Sequence, residues 1–129
     1  MVPITAFYAG LLALILVGLG FAVGQARLRL GVSILHGDDM ALATRIRRHA
    51  NFTESVPIAL ILLAALELGG AGAGLLHGLG ATLVVARIAH PLGLHHDRMQ
   101  HPLRAVGAGL TTLVTLVAAV VAIWRFVVH

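Results

Sequence analysis

Apolar residues fill long, nearly uninterrupted tracts of this chain, and polar residues gather where those tracts end. A bilayer-spanning helix needs about 20 mostly apolar residues, and four tracts are long enough: 2–26, 50–68, 69–94 and 102–128. With their polar ends included, the expected helices cover 2–28, 40–68, 70–95 and 102–128. A soluble four-helix bundle would carry a charged stripe along every helix. The first and fourth tracts carry none. The expectation is therefore an all-α, integral membrane four-helix bundle, with short connections and one domain spanning 1–129.

The second helix breaks the apolar pattern at its start. Residues three, four and seven apart share a helical face, so Arg47, Asn51 and Glu54 form one polar stripe, with Arg48 one position round. The stripe runs straight into lipid-compatible sequence. A carboxylate at that depth costs a few kcal/mol, so such groups are usually paired and usually functional. A stripe of this kind cannot face lipid, so it is expected to point into the bundle. In the third helix Arg87 lies within apolar sequence and is expected to pair with Glu54, with His90 one turn on. Pro57 leaves the Thr53 carbonyl without its helical donor and is expected to kink the second helix. Gly20 with Gly24, and Gly70, Gly74 and Gly78 at four-residue intervals, suit close helix packing.

Composition and charge sharpen this picture. The chain is 59% hydrophobic and 11% charged, with a mean hydropathy of +0.97. Its positive charge is all arginine and follows the helix ends. Arg27, Arg29, Arg45, Arg47 and Arg48 flank the first connection, and Arg98 and Arg104, with Arg87 deeper, flank the third. The second connection carries none, and Arg125 is the exception at the far end. The positive-inside rule then makes the first and third connections cytoplasmic and puts both termini outside, in the periplasm of an inner-membrane protein. The basic balance sets topology, and nucleic acid is not an expected partner. There is no cysteine, so any thiol chemistry must use a thiol from the substrate. No basic region precedes the first apolar tract, which favours a retained helix over a cleaved signal peptide.

The connections carry their own signals. His36-Gly37-Asp38-Asp39 reads as a turn with Asp38 or Asp39 capping the second helix. His36, His49, His90, His95, His96 and His101 cluster toward one side, but no pair has a recognised zinc spacing. No metal ligand is assigned; contacts with lipid headgroups are the expected role, and a metal site is the alternative. Glu67, near the opposite interface, is expected simply to be solvated. Pro102 suits the first turn of the fourth helix, where Arg104 joins the positive end of the helix dipole.

The motif Arg47-x-x-x-Asn51-x-x-Glu54-x-x-Pro57 resembles the signature of the membrane-associated proteins in eicosanoid and glutathione metabolism. The likeness is greatest to a small bacterial branch. Arg27-Leu28-Arg29 closes the first helix, His49 follows Arg47 by two residues, and Gly93-Leu94-His95-His96 follows the third helix. The resemblance covers nearly the whole chain. It implies a homotrimer with glutathione, as co-substrate, bound between neighbouring subunits near the cytoplasmic face. By the same resemblance Arg47, Asn51 and Glu54 would hold the tripeptide, Arg104 would lie at its thiol as the catalytic group, and Arg87 with Arg27 or Arg29 would complete the binding set. His90, also counted with that set, and Leu94 stand where leukotriene-forming relatives carry tyrosines. Ser55 stands where many members carry another.

Elementary chemistry agrees in kind. Arginines hold carboxylates through paired hydrogen bonds, and Glu54 suits an ammonium group. Nearby positive charge stabilises a thiolate against its ordinary pKa of about 8.5. The expected activity is that of a glutathione-dependent transferase or peroxidase, the thiolate attacking a lipophilic electrophile or hydroperoxide that enters from the bilayer. Two alternatives stand beside it: a non-catalytic lipophile-binding or scaffold protein, and a histidine-rich metal-binding protein.

Overall fold

The structure, a computed structural model, describes residues 1–98 and 100–128. Four helices follow one another: α1 (Pro3–Leu30), α2 (Met40–Leu68), α3 (Ala73–Gly93) and α4 (Pro102–Val128). Among the described residues there is no strand. All four helices are long and apolar enough to cross a membrane. The fold is an all-helical four-helix bundle.

Local chemistry sets the helix ends. Pro3 opens α1, where its missing N–H costs nothing. Gly31 closes it in the left-handed conformation, at φ 67°, with its N–H returning to the Arg27 carbonyl. Of the two candidate caps for α2, Asp39 is the one used: its carboxylate accepts the Leu42 N–H at 2.6 Å. Asp38 instead takes the tight turn, at φ 64°. The 28 residues of α1, at about 1.5 Å each, reach about 42 Å. That exceeds a hydrocarbon core of about 30 Å, so the Arg27–Arg29 turn has length to extend beyond it.

α1 packs on α2 and α3, α4 packs on α3 and α2, and α2 meets α3 across the middle. Leu12, Ala59, Leu63, Leu83, Val114 and Ala118 bring all four helices into one apolar core. Outward-facing Leu14, Phe21, Ile61 and Trp124 are exposed, as suits a surface solvated by lipid.

The tightest seam joins α3 to α4. A Cβ on Gly93 would run into the backbone of Arg104, and one on Gly107 would lie 2.6 Å from the His90 nitrogen. These, with Gly80 beneath the Tyr8 ring, are the glycines the packing requires. The expected repeat is different: Gly74 and Gly78, like Gly24, meet nothing within 4 Å, because they lie on faces turned away from the other helices of the chain. Gly20 does pack, against the His49 ring.

Polar ties secure the end carrying the α2–α3 connection. Glu67 accepts the Ile4 N–H at 2.9 Å and the Thr5 N–H at 2.7 Å. It thereby caps α1, which has no side-chain cap of its own. Arg125 donates to the Gly69 carbonyl just past α2, and Tyr8 bonds His77 at 3.0 Å. Glu67 and Arg125 are thus structural partners at an end where the sequence suggested a solvated carboxylate and a stray charge.

Candidate functional site

The opposite end of the bundle, rich in arginine, gathers the candidate residues. Arg87 projects from α3 and is only 1% exposed. Its Nη1 donates to Asn51 Oδ1 at 3.0 Å and to Ser55 Oγ at 2.9 Å. Asn51 and Ser55 are one helical turn apart on α2, so both can face the same guanidinium. The Ser55 hydroxyl spends its own proton on the Asn51 backbone carbonyl, at 2.5 Å.

The expected Glu54–Arg87 pair is absent. Glu54 follows Asn51 by three residues and lies about 100° round the helix from Ser55, so it leaves the face that meets α3. It pairs instead with Arg47, two turns back, through Nη1–Oε1 and Nη2–Oε2 contacts of 3.0 and 2.9 Å. The two side chains are 57% and 55% exposed. The stripe therefore divides: Asn51 turns partly inward, while Arg47 and Glu54 stand on the surface of the chain rather than inside the bundle. Two other arginines of α2 reach neighbouring helices: Arg45 donates to the Ala22 carbonyl of α1 at 3.3 Å, and Arg48 donates through Nε and Nη2 to the Leu94 carbonyl at 3.1 and 2.7 Å. The Arg48 contact ties α2 to the end of α3.

His90 is buried where α3 meets Gly107 of α4. Arg104 is half-buried in the first turn of α4 and borders a groove of about 530 Å³ with Gln100, His101, Pro102, Ala105 and Ala108. Arg47 borders a different groove, of about 230 Å³, between the start of α2 and Leu94, His95 and His96. Arg27 donates to the Val32 carbonyl in its own turn, at 3.4 Å, and Arg29 is exposed. The chain thus unites Arg47 with Glu54, and Asn51 with Arg87. It sets Arg104 in a groove of its own and leaves Arg27 in the α1–α2 turn.

The histidines do not assemble into a metal centre. His95 and His101 approach with ring centroids 5.5 Å apart, but among the described residues no three His, Asp or Glu side chains converge to hold an ion.

An exposed guanidinium–carboxylate pair is a ready receptor for a small zwitterion. The arginine can exchange its internal partner for a ligand carboxylate, and the glutamate for a ligand ammonium. Residues 5–124, which take in most of all four helices, match the MAPEG family. The chain belongs to the MAPEG family. It is also 32% identical, over 116 residues, to the inner membrane protein YecN of Escherichia coli strain K12. That alignment covers 90% of this chain and 88% of the relative. The YecN of Escherichia coli O6:H1 matches to the same extent. No solved structure matches the chain.

For a MAPEG membrane protein, the sequence motif singles out a stretch of α2 but hides which of its residues turn inward. Ser55 was visible only as a departure from the family pattern, yet its hydroxyl shares with Asn51 the link between α2 and Arg87. Its spacing one turn after Asn51 was the available signal. For Glu67 the signal lay elsewhere, in a helix opening at Pro3 with neither an acidic residue nor a capping side chain in its first turn.

Proposed function

We propose that this MAPEG-family protein is a glutathione-dependent transferase or peroxidase of a bacterial inner membrane, acting as a homotrimer with its site between subunits. The observation that carries the reading is the Arg47–Glu54 pair, exposed on the single subunit at the start of an otherwise apolar spanning helix. Charged groups at such depth face a protein interior or a wet cavity rather than lipid, so a neighbouring copy is the natural cover. The separate groove around Arg104 supports the same arrangement, since a site shared by two subunits can join one copy's Arg47 region to another's Arg104.

In this reading Arg47 holds a glutathione carboxylate, Glu54 the ammonium, and Asn51 a further polar group. Arg104 and the positive end of the α4 dipole stabilise the thiolate. The thiolate then forms a carbon–sulfur bond with a lipophilic electrophile, and the departing group or opened oxygen takes the proton. With a hydroperoxide, the thiolate sulfur attacks the outer oxygen and releases the alcohol. A second glutathione then converts the sulfenic acid to disulfide and water. The arginine-rich end is assigned to the cytoplasm, where the tripeptide is available, and both termini to the periplasm.

Titration calorimetry of purified protein with glutathione, beside a conjugation assay with a generic aromatic electrophile, tests this. Saturable binding with thiol-dependent turnover supports it; a protein that binds no glutathione overturns it. One observation favours a second reading, lipophile binding without turnover. Ala9, Ala13 and Leu16 of α1, with Phe52, Val56 and Pro57 of α2, form an apolar groove of about 240 Å³. Glutathione binding without conjugation or peroxidase activity would decide for it.

A further inference from the structure

We infer that Arg87 and Ser55 are positioning residues that lock the side-chain amide of Asn51 with its oxygen toward Arg87, so that its Nδ2 group is turned to the ligand as a hydrogen-bond donor, to a carboxylate or carbonyl oxygen. The inference rests on the glutathione reading for the identity of the ligand, but its structural half stands on the chain alone.

A guanidinium has donors and no acceptor, so the Asn51 atom 3.0 Å from Arg87 Nη1 can only be Oδ1. The amide orientation is fixed by chemistry. Nη1 carries two protons, and both are used, one on Asn51 Oδ1 and one on Ser55 Oγ. Ser55 can accept the second because its own proton is committed to the Asn51 carbonyl. Each group thus holds the next: Ser55 orients Arg87, and Arg87 orients Asn51. Arg87 is buried, and among the described residues it has no carboxylate partner. Releasing Asn51 Oδ1 would strip a buried cation of one of its two acceptors, so the lock is costly to open. The end of the half-buried Asn51 amide turned away from Arg87 is its Nδ2 group, which makes no hydrogen bond among the described residues. A ligand atom docking there must accept. Glutathione has such atoms in its carboxylates and amide carbonyls, and its ammonium is excluded from this position and left to Glu54.

The chain contains a single asparagine, so protein labelled with ¹⁵N-asparagine gives one side-chain amide signal, which reports on the lock with or without ligand. In Ser55→Ala that signal should shift, and glutathione affinity by calorimetry should fall roughly three- to ten-fold, the scale of one hydrogen bond. Ser55→Thr, which keeps a hydroxyl able to bond the same carbonyl, should restore both. Arg87→Met should shift the signal at least as far. Asn51→Asp keeps an acceptor for Arg87 but has no donor, so it should stay folded and lose glutathione binding by ten-fold or more. An amide signal indifferent to both Ser55→Ala and Arg87→Met overturns the lock. Undiminished glutathione binding by Asn51→Asp overturns the donor role. A signal that answers to Ser55→Ala in a protein that never binds glutathione upholds the lock and sinks the glutathione assignment instead.

Discussion

Arg104 stands in the first turn of α4 with its backbone pressed against Gly93, so one full charge and the positive end of a helix dipole share one place. If that place receives sulfur, Arg104→Ala should still bind glutathione. The ultraviolet absorbance of the bound thiolate should fall, and the thiol pKa should return toward about 8.5. An unchanged thiol pKa would reduce Arg104 to an anchor. Gly93→Ala is a harsher change, since the new methyl meets backbone rather than a yielding side chain. It should destabilise the bundle by about 1–3 kcal/mol, seen as a lower melting temperature. At this scale the sequence singled out Arg47, Asn51, Glu54 and Arg87 as candidates through spacing and depth. It mispaired Glu54 with Arg87 because opposite charges at similar depth on neighbouring helices look alike from a one-dimensional pattern. Only the rotation of α2 about its axis decides that Asn51 and Ser55, rather than Glu54, reach Arg87.

Helix caps and seams belong to the element scale. Asp39→Ala removes the side chain that accepts the Leu42 N–H and should cost about 1 kcal/mol in thermal unfolding. Glu67→Gln keeps the shape but gives up the negative charge at the start of α1. It should lower the melting temperature while leaving glutathione binding unaltered, because the Ile4 and Thr5 N–H groups lie at the end of the bundle away from the candidate site. The four helices and the Asp39 cap could be read from hydropathy and local residue chemistry, which are properties of short stretches. The α3–α4 seam could not. Gly80, Gly93 and Gly107 follow no four-residue repeat, and their role comes from which neighbour each one faces. The more conspicuous Gly74 and Gly78 face none within the chain.

For the molecule as a whole, the surface that carries Arg47 and Glu54 is the feature a lipid-embedded monomer tolerates least. Under the proposed function the expected assembly in nanodiscs is a trimer, measurable by light scattering or mass photometry. A stable monomer that still binds glutathione would count against an intersubunit site. Replacing both members of the pair, Arg47→Met with Glu54→Gln, should leave the fold intact and abolish glutathione binding. Reporter fusions at the His95–His101 connection and at either terminus should fall on opposite sides of the membrane.

The cap on α1 also sets an order of events. The carboxylate that closes the first turn of this helix lies 63 residues downstream of the Ile4 N–H it receives. At a synthesis rate of about 5–20 residues per second, it arrives roughly 3–13 s after the turn it serves. Throughout that interval the leading helix crosses the membrane with its first N–H groups bare of that partner. A chain stalled before Glu67 would hold α1 to α2 through contacts such as Arg45 on the Ala22 carbonyl, with the first turn of α1 still lacking its carboxylate.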